Sequence, residues 1–313
     1  MSNSRRSFMK QMGALGMLAP FYAHATGHFL QDNAPLKMHV FSKHLQFLDY
    51  RRAAELAAEI GFKGLDLTVR PKGHVLPENV KRDLPKAIKE IRKVGLSCEM
   101  ITTAISDVAN PLDVDIIKTA AAEGVKFYRS DWFKYKEDSS LEDSLDHYRG
   151  KVRELGDLNK MHNIVGCYQN HSGTLIGASM WEVKKILETV NPEFFGAQYD
   201  IRHAVAEGGK SWPNGIKLLK NHIKTIVLKD FKWGKVDGKW QIVNVPIGEG
   251  MVDFNSFFKL LKGYGLNPPA SLHLEYPLGG AEKGEYKISV DQKVIFDAMK
   301  KDMAAVQQLW MKA

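Results

Sequence analysis

Side chains able to do chemistry recur along this chain, each set placed directly after a short apolar run. The sets are Lys43 and His44; Asp66 and Arg70, with His74 beyond; Thr102 and Thr103; Arg129, Asp131, Trp132 and Tyr135; Gln169, Asn170 and His171; Gln198, Asp200, Arg202 and His203; Lys229 and Asp230; His273, Glu275 and Tyr276. Imidazole titrates near neutral pH. His171 is therefore the first candidate for proton transfer, the alternative being a residue that steadies Asp200 or Glu275. Lys229 can serve as acid or electrophile, or form a salt bridge across the site. Glu275 is a candidate base, and Asp230 suits either a ligand or the fixing of a loop. Arg70, Arg129 and Arg202 are planar forks that fit a phosphate or carboxylate, but pairing with Asp66, Asp131 and Asp200 is the expectation. Tyr135, Trp132, Trp212 and Trp233 can stack on a sugar ring or close the end of a fold. Lys43, His44, Arg70, His74, Arg129, Asp131, Tyr135, Asn170, His203, Trp212, Asp230 and His273 make up the expected substrate-binding set. Such a polar crown suits a polyhydroxylated ligand.

The elements that position these groups are legible as alternation. Strands are expected at 38–42, 64–68, 97–101, 125–129, 164–168, 195–199, 225–229 and 271–275. Amphipathic helical patterns follow them at 50–60, 78–94, 111–123, 141–162, 180–190, 213–222, 254–264 and 290–310. Asp49 is placed to cap the first helix, and Gly61, Gly95 and Gly124 lie where left-handed C-caps are wanted. Eight such units predict a single-domain α/β fold, a closed (β/α)8 TIM barrel spanning 26–313. In such a barrel the C-terminal strand ends form the active-site face. A doubly wound sheet is the runner-up, but Phe41-Ser42-Lys43-His44-Leu45-Gln46 contains no glycine for a phosphate loop, so no nucleotide cofactor is expected. Cys98 and Cys167 fall on strands two apart, too far for a disulfide, which predicts two free buried thiols.

The motifs resemble the sugar-phosphate isomerase/epimerase group, the xylose-isomerase-like TIM barrels. Val245-Pro246-Ile247-Gly248-Glu249-Gly250-Met251-Val252-Asp253-Phe254 resembles that family's P-x-G-x-G-x-x-D-[FW] loop. Tyr168-Gln169-Asn170-His171 resembles the end of its fifth strand, Asp200-Ile201-Arg202-His203 the D-x-x-H end of its sixth, Leu228-Lys229-Asp230 the H-x-K-D end of its seventh, and Leu274-Glu275 its eighth. The resemblance implies one divalent metal, manganese, zinc or cobalt, held by Glu, Asp, His and Glu on strands five to eight, with the two Glu moving a proton beside a sugar carbonyl. This chain has Gln169 in place of the first Glu and Val227 in place of the His, while Asp200 and Glu275 remain. Either Gln169, Asp200 and Glu275 hold the metal with His171, His203 or His273 as a replacement imidazole, or the metal site is weak or absent. The implied activity is sugar isomerisation or epimerisation on a small carbohydrate. A lyase or hydrolase acting on an oxidised glycoside is the alternative, and a non-catalytic sugar-binding barrel a further one.

Length and charge agree with these readings. The 313 residues hold 44% apolar residues and two cysteines, which excludes disordered, fibrous and disulfide-scaffold classes. Setting aside Arg5, Arg6 and Lys10 from the formal +8 leaves +5, a mild excess that argues against nucleic acid as partner. The related abasic-DNA endonucleases need a multi-zinc set of His and Glu that is missing here. Residues 1–25 read as an export signal: Arg5-Arg6 and Lys10, an apolar run from Met12, then Ala23-His24-Ala25. The arginine pair resembles the twin-arginine class, which exports folded proteins. The expectation is a periplasmic protein without a membrane span after processing. Its mature N-terminus should lie near Thr26, and replacing Arg5 and Arg6 by Lys should stop export. N-terminal sequencing that finds Met1 or Ser2 on soluble cytoplasmic protein would remove this expectation.

Overall fold

A computed structural model describes residues 34–313; the expected export signal and its cleavage point lie outside them. Ten strands occur in order: β1 (Met38–Phe41), β2 (Gly64–Val69), β3 (Ser97–Thr103), β4 (Phe127–Arg129), β5 (Val165–Gln169), β6 (Phe195–Asp200), β7 (Ile223–Leu228), β8 (Asp230–Val236), β9 (Lys239–Val245) and β10 (Ala270–Leu272). The helices are α1 (Tyr50–Ile60), α2 (Val80–Lys93), α3 (Pro111–Ala122), α4 (Leu141–His162), α5 (Met180–Ile186), α6 (Ile201–Gly208), α7 (Trp212–Leu219), α8 (Phe254–Gly263) and α9 (Gln292–Lys312). Eight parallel strands close into a barrel in the order β1-β10-β7-β6-β5-β4-β3-β2, which is the TIM-barrel topology expected from the alternation. Among the described residues no helix is long and apolar enough to cross a membrane.

Two layers of burial follow from the period-2 alternation of the strands. Outward residues such as Leu65, Leu67, Tyr128, Tyr199, Ile226 and Leu228 join the helices in one apolar cluster. The barrel interior is filled differently. His39, Asp66, Thr102, Arg129, Gln198, Thr225 and Ser271 are all buried there beside a few apolar side chains such as Phe41, Met100 and Val227. Asp66 accepts hydrogen bonds from Thr102 Oγ1 at 2.9 Å and Ser271 Oγ at 2.6 Å. Burial pushes its carboxyl above the ordinary value while those hydroxyls and Arg129 pull back. Cys98 and Cys167 are free and buried, as expected, and burial pushes each thiol up to about 12.

Two departures from the expected elements bear on the site. The helix expected at 213–222 is preceded by a separate helix, α6, which starts directly at Asp200 with that side chain accepting from the His203 N–H at 3.1 Å. The stretch after β7 is an antiparallel hairpin, β8–β9, turned by Asp237 (φ 51°) and Gly238 (φ 76°). Two consecutive positive φ values make a type I′ turn, whose twist matches the strands it joins. The expected glycine loop follows the hairpin. Asp230, at the start of β8, accepts backbone N–H groups from Phe231 at 2.8 Å, Gly248 at 2.9 Å, Gly250 at 3.0 Å and Val252 at 3.2 Å. A Cβ on Gly250 would stand 2.2 Å from the Asp230 carboxylate, so only glycine lets the loop close on it.

Asp302 on α9 anchors the far side of this loop. It accepts from the Ile247 N–H at 3.2 Å and from Tyr276 Oη at 3.0 Å, and it is 1% exposed. Burial pushes its carboxyl from 3.8 up to about 6. The folded chain thus keeps a proton there that the unfolded chain has released, so stability is fully present below about pH 4 and declines as pH rises to about 6. Asp302→Asn should flatten that decline and gain no more than about 3 kcal/mol at neutral pH. Urea unfolding of both proteins at about pH 4.5 and about pH 7.5 checks this; an unchanged pH slope in the variant would assign the proton elsewhere.

Candidate active site at the barrel mouth

The strand ends bring Gln169, Asp200, His203 and Lys229 into direct contact. Lys229 Nζ lies 3.0 Å from Asp200 Oδ2 and 2.9 Å from His203 Nε2. Gln169 Nε2 donates to the same Asp200 oxygen at 2.8 Å. All four are buried, with Asp200 fully so. His203 is held at its other nitrogen too, with Ser172 Oγ at 2.7 Å and Arg202 Nη1 at 2.9 Å. Burial, with Lys229, His171 and Arg202 nearby, lowers His203 well below the ordinary imidazole value, so it stays neutral.

Beside this cluster sits a second ion pair. Lys43 Nζ reaches both oxygens of Glu275, at 3.0 Å and 2.9 Å. Burial opposes charge on Glu275, yet His273, Lys229 and Lys43 together hold its carboxyl far below the usual range. Burial lowers Lys43, as do Lys229 and Arg70, against the pull of Glu275. His273 stacks on Phe41 with ring centroids 4.1 Å apart and hands its Nε2 to Ser271 Oγ at 3.2 Å.

His171 differs from the other two imidazoles. Its Nδ1 lies 2.8 Å from the Ser172 carbonyl oxygen, which can only accept, so the ring proton sits on Nδ1. Nε2 then carries a lone pair, and no hydrogen bond from the described residues reaches it. The ring is clasped between Trp132 at 4.5 Å and His203 at 4.1 Å. Burial, with Lys229 close by, lowers its pKa and keeps it neutral.

The three arginines do not pair with the expected aspartates. Arg129 lies over Trp132 at 4.2 Å and donates to Gln169 Oε1 at 3.3 Å and the Thr103 carbonyl at 3.1 Å. Arg202 donates to Asn244 Oδ1 at 2.7 Å, and Asn244 in turn donates to the Glu275 carbonyl at 3.2 Å. The Arg70 guanidinium lies over the Phe41 ring at 5.6 Å and makes no hydrogen bond to the described residues. It borders a cavity of about 620 Å³ that Lys72, Lys283 and Tyr286 also line. Asp131 keeps to its own loop, accepting from the Trp132 N–H at 2.9 Å. The Trp132 indole N–H, Arg129 Nε and Arg202 Nε are buried donors without partners among the described residues.

Other expected ligand-facing residues are engaged in scaffolding. His44 accepts from the Leu274 N–H at 3.0 Å and faces the Ala281 carbonyl at 3.2 Å, and burial lowers it to about 3. His74 Nε2 is held by the Leu45 and Leu48 carbonyls at 3.1 Å and 3.2 Å, and burial lowers it to about 4. Asn170 clamps β5 to β6, donating to the Asp200 carbonyl at 2.9 Å and accepting its N–H at 2.8 Å. Asp230 is filled by the four N–H groups of its loop. Burial, with the Glu182 carboxylate nearby, pushes the Tyr135 phenol up to about 12. Trp212 packs edge-on to Phe257 in the helical layer and lines a separate outer cavity of about 770 Å³. Ser172 and Asn244 were not among the expected residues; serine and asparagine carry no chemical signal by type, and Asn244 lies on the unforeseen hairpin.

The donor set does not fit a divalent metal. The Gln169 carbonyl oxygen, its only ligating atom, accepts from Arg129, and the amide nitrogen faces Asp200. Val227 is fully buried and offers no ligand. Of the imidazoles that could replace the missing His, His203 and His273 are already bonded, and His171 keeps an open Nε2 but converges with no two further His, Cys, Asp or Glu ligands among the described residues. Among the described residues no three His, Cys, Asp or Glu side chains converge in a way that could hold an ion. A divalent ion about 4 Å from the Lys229 ammonium would meet a repulsion on the order of 8 kcal/mol at an effective dielectric near ~20.

Comparison with known proteins agrees with the barrel. An inosose dehydratase of Mesomycoplasma hyopneumoniae is 24% identical over 238 residues, covering 68% of this chain and 77% of that protein. The D-psicose 3-epimerase of Clostridium cellulolyticum superposes with a TM-score of 0.67 at 12% identity, over 88% of this chain and 99% of that one. The 3-keto-D-glucoside 4-epimerase of E. coli gives a TM-score of 0.60 at 12% identity, over 84% and 97%. Residues 54–292 match the family of xylose isomerase-like TIM barrels, and the chain belongs to that family.

Proposed function

We propose that this protein is a sugar isomerase-like enzyme that moves a proton from one face of a carbon beside a carbonyl, with His171 as the base and Lys229 as the acid. The observation that carries this reading is the state of His171. Its proton is fixed on Nδ1 by the Ser172 carbonyl and Nε2 is left with an open lone pair. Asp200 and Glu275 are each committed to a lysine, which makes either a poor base. A single base serves isomerisation or elimination, whereas inversion by proton exchange needs a carrier on each face. Epimerisation at a ketose carbon is therefore not the expected reaction.

Elimination has a specific observation in its favour, because the curated relative at 24% identity is a dehydratase. In that variant the C–H bond beside the carbonyl breaks and its proton passes to His171 Nε2. The released pair forms a carbon–carbon double bond, and the β-hydroxyl leaves as water with a proton from Lys229. The open donors of Trp132, Arg129 and Arg202, with the free guanidinium of Arg70, supply hydrogen bonds for hydroxyl groups. An exported location, read from residues 1–25, favours free sugars and glycosides over sugar phosphates.

The test is NMR of deuterium incorporation from heavy water into ketoses, inososes and 3-keto-glycosides, with ultraviolet detection of any enone. His171→Ala should slow exchange at least ~10²-fold with circular dichroism unchanged. Exchange at the wild-type rate in that variant would reduce His171 to a supporting residue and sink the assignment.

A further inference from the structure

We propose that two lysine ammonium groups take the electrostatic place of the divalent metal in this barrel, so that the site is metal-independent and Lys229 Nζ is the electrophile for a substrate oxygen. The electrophile clause rests on the reading given above; the metal clause stands on the side chains alone.

The argument begins with what the two surviving acidic positions hold. Asp200 and Glu275 stand where the sequence resemblance puts metal ligands, and each is bonded to an ammonium. Lys229 Nζ binds the Asp200 oxygen that Gln169 also contacts, and Lys43 grips Glu275 through both oxygens. Two unit charges thus replace one double charge against the same two carboxylates. The two departures at the remaining positions fit this exchange. Gln169 places an N–H on Asp200, where a glutamate would add a negative charge beside it and unbalance the pair. Val227 lies fully buried next to Asp200 in the paired strands and brings no lone pair to compete for Lys229. His203 Nδ1 accepts the Ser172 N–H at 3.1 Å and Arg202 Nη1 at 2.9 Å, which puts the ring proton on Nε2, 2.9 Å from Lys229 Nζ, so neither nitrogen of this imidazole offers a free lone pair to a metal.

Geometry also favours Lys229 over a passive salt bridge. An ammonium has three N–H donors. One goes to Asp200, and the structure records no other acceptor for the remaining donors among the described residues. Those donors are available to a carbonyl or hydroxyl oxygen, while the Asp200 contact holds the ammonium in place. Lys43, by contrast, is fixed to both oxygens of one carboxylate, which suits charge balance more than contact with substrate.

The experiment uses the full mature protein. Metal content is measured by plasma mass spectrometry, and melting temperature is followed with Mn²⁺, Co²⁺, Zn²⁺ or EDTA. The expected result is metal far below one equivalent and a melting temperature unmoved by any of the four. Metal retained near one equivalent and lost in Asp200→Asn would overturn the proposal; metal that survives Asp200→Asn sits elsewhere and leaves this site metal-free, as proposed. Lys229→Ala combined with Gln169→Glu and Val227→His should create a site that Mn²⁺ stabilises, because a ligand that binds only the folded state raises its melting temperature. Should that variant fail to fold, Gln169→Glu alone should lower the wild-type melting temperature without gaining a response to Mn²⁺; a Mn²⁺ response in it would overturn the proposal. Where a substrate that exchanges deuterium is known, EDTA should leave the exchange rate unchanged. Failure of every carbonyl compound to exchange would count against the function reading and leave the metal measurements decisive for this one.

Discussion

The carboxylate of Asp200 is the point on which the barrel mouth depends. It ends β6, caps α6 through the His203 N–H, accepts the Gln169 amide and binds the Lys229 ammonium. A fully buried carboxylate is tolerable only with such company, since an unpaired charge in that position would be prohibitively costly to desolvate. Each partner is thereby fixed by the same charge. His203 must present its ring to Lys229 because its backbone is the cap donor, and Gln169 must turn its nitrogen inward, which leaves its oxygen for Arg129. One charge thus orders side chains from strands four to seven.

A second charge organises the rim. Asp230 gathers the N–H of Phe231 and three N–H groups of the glycine loop and so folds that loop over the start of β8. The loop holds the hairpin in place, and the hairpin delivers Asn244 between Arg202 and Glu275. Asp302 then ties the loop to α9 and to Tyr276, next to Glu275. The motif resembling the family's glycine loop is thus explained by backbone geometry, with the glycines needed where the chain passes within reach of a carboxylate.

Much of the fold was legible because alternation survives in the sequence. Each strand is a short apolar run, and the cap at Asp49 and the left-handed turn at Gly61 punctuate the first helix as read. The hairpin was missed although Asp237-Gly238 is a strong turn signal. Its strands are half exposed and their apolar residues are interrupted by Lys232, Lys235, Lys239, Gln241 and Asn244, so they lack the apolar run that marked the others. Helix α6 was missed for another reason: its N-cap is Asp200, whose type and spacing point to a metal ligand or an arginine partner and not to a cap. For the site, residue type identified the groups but not their commitments. His44, His171, His203 and His273 look alike in sequence. What separates them is which nitrogen meets a carbonyl, an N–H or a hydroxyl, and that is decided by contacts between residues up to 237 positions apart.

The polar filling of the barrel gives it the character of a solid solvent. Water answers a change of charge by turning its dipoles, at a cost in reorganisation. Here Thr102, Ser271, Gln169, Arg129 and His273 are locked into mutual hydrogen bonds and cannot turn. Dipoles fixed in advance respond to a developing charge without that reorganisation. The same fixity makes the interior brittle: removing any one member strands a neighbour's donor or acceptor, so tolerance to substitution should be lowest along this polar axis and higher in the apolar layer around it.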